Sequence, residues 1–217
     1  MSKAGTIVKT SVKVFFLGIS LFIYTFFIFR LCTADDPKAM TDIIWNDISR
    51  AAYTSSPETF EALEQEPDTY ITNDGRFWIS NVVYLPTAKQ LQLTIKYNSS
   101  TLKYLTQELE EASTDDTESQ DVRITLPDEP FSYSLIDNSG VRYQVYTAEA
   151  ARKQNYHYRR LVFENIDLTD VTDLYVDIYY VGAQNYAAIP YGSLKAWDAD
   201  LPVTQRNLKK ELPADLK

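Results

Sequence analysis

A chain of 217 residues, 45% hydrophobic and 24% charged, has room for one globular domain and a tether. Its 16 tyrosines and 10 phenylalanines against 6 glycines favour strands. Four bases, Lys3, Lys9, Lys13 and Arg30, precede the first acid, Asp35, leaving 17 bases against 30 acids in the remainder, a net of -13. With no basic stripe after Arg30 to displace counterions, the composition argues against nucleic-acid binding, and a single cysteine, Cys32, excludes an internal disulfide.

Val14 to Phe29 contains no charge over 16 residues, about 24 Å of helix at 1.5 Å per residue. Extended to residues 11–32 it matches a single transmembrane helix flanked by Lys13 and Arg30, whose stems can snorkel. Lys3, Lys9 and Lys13 put residues 1–10 in the cytoplasm and the bulk of the chain outside. The rival expectation is a signal peptide cleaved after Ala34; the apolar stretch exceeds the usual h-region, and Arg30 stands where small residues are wanted.

Residues 33–70 read as a juxtamembrane helical segment. Met40, Ile43, Ile44, Ile48 and Ala51 recur at helical spacing after Asp36-Pro37, and Ser56-Pro57-Glu58 resembles the start of a second helix through Leu63. Residues 71–200 read as an extracytoplasmic domain in which the period becomes two. Strands are expected at Phe77–Tyr84, at Leu91–Tyr97 with Gln92, Thr94 and Lys96 on a wet face, and at Val122–Leu126. Further strands are expected at Phe131–Leu135, Val141–Tyr146, His157–Glu164, Leu174–Val181 and Leu194–Trp197, with Asp137-Asn138-Ser139-Gly140 turning a hairpin. Leu102, Leu105 and Leu109 suggest an inserted helix. Glu108 to Asp121 holds seven acids and no base and should be a mobile loop, and residues 201–217 should be a C-terminal tail. The expected fold is mainly β, an antiparallel sandwich preceded by short helices and the membrane span.

The stretch LVFENIDLTDVTDLYVDIYY resembles membrane-tethered, immunoglobulin-like bacterial surface proteins of unassigned function. Leu168, Asp170 and Tyr175 are similar to the leucine, aspartate and tyrosine of the E to F corner in such folds, about one residue out of step and without the cysteine pair. The resemblance implies a fold class and no activity.

His157 is the sole histidine, so any base-activated nucleophile would need it, and no G-x-S-x-G accompanies it. The aspartates at 167, 170, 173 and 177 are dense enough to suggest paired carboxylates of an envelope carbohydrate-active hydrolase. Ca²⁺ is the other use of such oxygens, through Asp167, Asp170 and Asp173 or through Asp198 and Asp200, although neither cluster has EF-hand spacing. Tyr156, Tyr158, Tyr175 and Tyr179 are candidates for an aromatic surface binding a glycan or another envelope protein. Asn98-Ser99-Ser100 fits a glycosylation sequon. Together these features favour a membrane-anchored binding or assembly module over an enzyme.

Overall fold

The computed structural model describes residues 3–32, 36–66, 75–114, 129–169, 171, 173–181 and 188–217. It contains two compact units, Met1–Asp36 and Pro37–Lys217. The first is one helix, α1 (Lys3–Cys32). Its side chains are described over residues 12–28, a stretch of about 26 Å, and among the described residues no helix is long and apolar enough to cross a membrane. Ala34, where the rival signal-peptide reading would put cleavage, lies outside the described residues.

The second unit holds two antiparallel sheets, an arrangement consistent with a β-sandwich. Sheet A combines β1 (Leu63–Gln65), β2 (Phe77–Leu85), β3 (Gln90–Asn98), β6 (Val145–Lys153), β7 (Tyr156–Glu164) and β10 (Thr204–Gln205) in the order β10-β1-β2-β3-β7-β6. Sheet B combines β4 (Phe131–Asp137), β5 (Arg142–Tyr143), β8 (Asp173–Val181) and β9 (Ala188–Asp198) in the order β5-β4-β8-β9. Alternation decides what faces inward. Leu91, Leu93, Ile95 and Tyr97 of β3 and Leu161 and Phe163 of β7 meet Phe131, Tyr133, Leu135, Leu174, Val176 and Ile178 of sheet B in one buried core. Helix α4 (Ser99–Thr114) links the sheets and sends Leu105 into that core.

The β4–β5 hairpin turns as its sequence implies. Gly140 has φ of +85°, a left-handed conformation that favours glycine. The buried Asp137 carboxylate accepts from the Ser139 N–H, the Ser139 hydroxyl, the Val141 N–H and the Tyr143 hydroxyl. After Gln144 the chain leaves sheet B, and β6 pairs with β7, not with β4. The strand expected at Val141–Tyr146 is therefore two strands in different sheets.

Several local expectations are overturned. The single helix expected across residues 36–51 is broken into α2 (Lys38–Thr41) and α3 (Asp47–Ser55). Between them the backbone of Ile44 is captured by the side-chain amide of Gln92, which donates to the Ile44 carbonyl and accepts from its N–H, each at 2.8 Å. Asn46 caps α3 by accepting from the Ser49 N–H. Ser56 ends α3 instead of starting a helix, a turn follows at residues 57–59, and Leu63 enters β1. The pairing of β1 with β2 and β10 supplies ladder bonds that the local Ser-Pro-Glu signal does not.

Of Gln92, Thr94 and Lys96, expected on a wet face, the first two are completely buried, as is Gln90 on the same side, and only Lys96 is partly exposed. A strap formed by residues 37–46 lies over the buried three, and on the same side Ile43, Phe60, Ala62, Val83, Leu85 and Ala88 make a second apolar cluster, joined by Trp45, Tyr53 and Leu208. The expected C-terminal tail is thus packed: β10 pairs with β1, and the segment adds two 3-10 turns at Leu208–Lys210 and Ala214–Leu216. The acidic stretch expected to be a loop from Glu108 is helical as far as Thr114. Its remainder, and the strand expected at Val122–Leu126, lie outside the described residues.

Candidate functional site

The four candidate tyrosines do not form one surface. Tyr156 and Tyr158 point from β7 to the outer face of sheet A, opposite the core, since they share register and face with Asn98 and Lys96 of β3. Tyr175 and Tyr179 lie on the outer face of sheet B, because Leu174, Val176 and Ile178 face inward. On sheet B, Arg142 donates to the Tyr179 hydroxyl at 3.0 Å, and that hydroxyl donates to Asp177 at 3.2 Å. This bond to the tyrosine oxygen raises the Arg142 pKa. On sheet A, the Lys96 ammonium sits 4.6 Å from the Tyr156 ring centre and 5.3 Å from that of Tyr158, and Trp78 meets Tyr156 edge to face at 5.9 Å. Tyr158 is only 2% exposed beneath this group, so Trp78, Lys96 and Tyr156 make the accessible part. Trp78 and Lys96 were missed in the sequence. They are cross-strand partners in register, a relation that separate strand assignments do not display.

The aspartates are distributed among lysines. Asp167 accepts from Lys89 at 2.8 Å and from the Thr169 N–H and hydroxyl, and the lysine contact above all holds its carboxyl well below the usual range. Asp173 and Asp198 face each other in register across β8 and β9, a like-charge pair that would destabilise the sheet if left alone. Lys195 resolves it, its ammonium lying 3.1 Å from Asp173 and 2.7 Å from Asp198. Its bond to Asp198 lowers the Asp198 pKa and raises that of the lysine. The ammonium stands where a cation shared by these two carboxylates would sit, and Asp200 turns its N–H toward Asp198. Asp170 lies outside the described residues, and among the described residues no group of three or more His, Cys, Asp or Glu could hold a metal. A glycoside hydrolase also needs a carboxyl with a raised pKa as its acid, whereas Asp167 and Asp198 shift the other way.

His157 does reach a hydroxyl. Its Nε2 lies 3.0 Å from the Ser99 Oγ at the start of α4, while its ring stacks on Tyr97 at 5.1 Å with planes 5° apart. Burial, then Arg152 and Arg159, lower its pKa, so the imidazolium that a general base must become is opposed by two nearby cations. The neighbouring amides are already engaged: Ser99 N–H donates to the Asn155 carbonyl and Ser100 N–H to the Asn98 side chain. The pair therefore fastens the β3–α4 corner to the β6–β7 turn. Asn98, the sequon residue, is part of that corner.

A buried polar network beneath the strap is the feature least visible in the sequence. Asn81, at φ of 52° in a β2 bulge between Ser80 and Val83, donates to the Met40 and Thr41 carbonyls. Thr94 donates to the Met40 carbonyl, and Arg206 donates to the Asn81 side chain and to the Thr41 carbonyl. Arg160, fully buried, donates to the Asn81 carbonyl and Thr94 hydroxyl, and burial brings its pKa down to about 9. Tyr84, not Tyr175, closes the turn after β7 by donating its hydroxyl to the Ile166 carbonyl at 3.1 Å. No family model, curated protein or solved structure matches the chain.

Proposed function

We propose that α1 anchors this chain in a lipid bilayer, N-terminus in the cytoplasm, and that the Pro37–Lys217 unit works outside as an immunoglobulin-like binding or assembly module of the cell envelope. One observation carries the anchoring: the large apolar side chains described in α1, from Val12 to Ile28, are between 40% and 73% exposed. A helix apolar on every side is stable only where something other than water covers it, and the acyl chains of a bilayer are a cover of the right chemistry. The binding role is supported by what the outer domain displays: an aromatic and cationic group on sheet A and an arginine–tyrosine–aspartate group on sheet B. Their chemistry suits another envelope protein or a glycan.

Two measurements test this reading. In membranes from expressing cells, the chain should resist extraction by alkaline carbonate, and a variant lacking residues 1–32 should be released. Protease added to intact cells should digest the Pro37–Lys217 unit and leave an N-terminal fragment. Carbonate release of the full chain would overturn the anchoring, and protection of the domain would overturn the orientation.

A further inference from the structure

Sheet A ends on one long edge. Among the described residues, β6 has β7 on one side only, whereas the other sheet edges are short or interrupted: β5 and β10 have two residues each, and β9 carries Pro190 and two register shifts against β8. From Glu149 to Lys153 the register of β6 with β7 is unbroken, Glu149 lying opposite Arg160 and Lys153 opposite Tyr156. An irregularity between Thr147 and Glu149 closes this window on one side, and the Gln154-Asn155 turn closes it on the other. Such an edge presents backbone donors and acceptors to a strand that matches it.

Backbone phase decides which of those groups face outward. Along a strand, successive residues turn their N–H and C=O alternately toward the two neighbouring strands. The Ser99 N–H donates to the Asn155 carbonyl, so Asn155, His157 and Arg159 bond toward β3, and Tyr156, Tyr158 and Arg160 bond toward β6. Their register partners Lys153, Ala151 and Glu149 therefore bond inward, and Ala150 and Arg152 turn their N–H and C=O to the open side. Both residues are exposed.

A second copy of the same strand meets these conditions in one register. Identical antiparallel strands related by a two-fold axis normal to the sheet keep their faces aligned only if one residue lies opposite its own copy. Centred on Arg152, the pairing sets two like charges against each other, which destabilises a sheet. Centred on Ala150, it sets Arg152 against Ala148, the residue that the β6–β7 register skips. Centred on Ala151, it sets Ala150 against Arg152 twice, joining every outward N–H and C=O of the window, and sets Glu149 against Lys153 twice. These last pairs are of the non-hydrogen-bonded kind, in which side chains come closest. We propose that β6 is a homodimer interface, two copies of the chain joining edge to edge through residues 149–153, centred on Ala151, in one continuous sheet. The charges that keep other strands and registers off this edge are complementary in this one. The proposal rests on the assembly role proposed above, to which it gives a partner, and not on the anchoring by α1.

The contact is small and the dimer accordingly transient, so the test is disulfide trapping. It uses the full chain in detergent, in a Cys32→Ser background that removes its one cysteine, with copper phenanthroline as oxidant. A non-hydrogen-bonded pair holds its Cα atoms about 4.5 Å apart, within disulfide reach, so Ala151→Cys should give a covalent dimer. Glu149→Cys or Lys153→Cys alone should not, since each lies about 13 Å along the strand from its own copy, but the two mixed should cross-link. Added to Ala151→Cys, Glu149→Lys or Lys153→Glu turns both attractive pairs into repulsive ones and should slow trapping about tenfold. Mixing those two variants puts opposite charges back in register and should restore the rate, which also shows that both are folded. Equal trapping at all three cysteine positions, no trapping at Ala151→Cys, or no rescue on mixing would overturn the proposal and leave the anchoring untouched. Slow hydrogen exchange at the Ala150 and Arg152 amides of a chain that stays monomeric would overturn it by giving the edge to another segment of the same chain.

Discussion

Gln92 offers the sharpest test of how the strap is held. Its side chain is completely buried, and both ends of its amide pair with the Ile44 backbone at 2.8 Å, replacing the pairing that a neighbouring strand would provide. Gln92→Met keeps length and volume but removes donor and acceptor together. Two hydrogen bonds worth about 1 kcal/mol each are lost, and an Ile44 N–H and C=O are left under cover at a further cost, for a total of about 3 kcal/mol. In a unit of this size, that lowers the melting temperature by roughly 6–12 °C. If residues 37–46 lift off locally before the sheets separate, the Ile44 amide should exchange hydrogen about 100-fold faster while the amides of β3 and β7 keep their protection. Thermal unfolding and hydrogen exchange on the detergent-solubilised full chain measure both quantities. A melting temperature within 1 °C of the parent and unchanged exchange at Ile44, for a folded variant, would refute the reasoning, because the strap would then owe nothing to this amide.

Val176→Asp and Leu105→Asp each put an unpaired charge at a completely buried position and should abolish cooperative unfolding, as judged by near-ultraviolet circular dichroism. Replacing residues 115–119 of the acidic stretch with Gly-Ser should shift the melting temperature little by comparison, since loop closure depends weakly on length; a shift as large as that of Val176→Asp would mean those residues are packed. Asp137→Ala should destabilise the β4–β5 hairpin by about 2 kcal/mol at neutral pH through lost charged hydrogen bonds. Desolvation works to raise the Asp137 pKa, but the bonds from Ser139, Val141 and Tyr143 outweigh it and leave it lowered. The stabilisation is therefore present above the unfolded value near 3.9 and lost as pH falls through the folded one, so parent and Asp137→Ala melting temperatures should converge in acid. His157, whose pKa is lowered from 6.5, acts in the same direction from another cause: the unfolded chain takes up its proton first as pH drops below about 6.5. Stability should decline there, and His157→Gln should flatten that part of the pH profile of the melting temperature.

The order of the main strands was legible because alternation writes burial directly into a sequence wherever one face is apolar. Leu91, Leu93, Ile95 and Tyr97, and Leu174, Val176 and Ile178, announce themselves in this way, and Asp137 with Gly140 announces its hairpin. Local composition likewise separates the apolar residues 14–29 from the acidic remainder. Position three residues along the chain was all that Ser56-Pro57-Glu58 offered, and pairing of β1 with residues some 140 positions away overrode it. Gln92 and Thr94 carry the alternation of a wet face, yet a polar side chain can be buried when its donors and acceptors find partners, and theirs come from Ile44, Met40 and Arg160. The candidate sites divide in the same manner. Asp173 and Asp198 stand in different sequence clusters, and only the β8–β9 register sets them against each other with Lys195 between; Ser99 meets His157, and Trp78 meets Tyr156, for similar reasons. The residue types and the inward faces were set by the sequence alone. Which polar groups share a partner was decided by strand register and by the strap, because those contacts join segments that no local pattern connects.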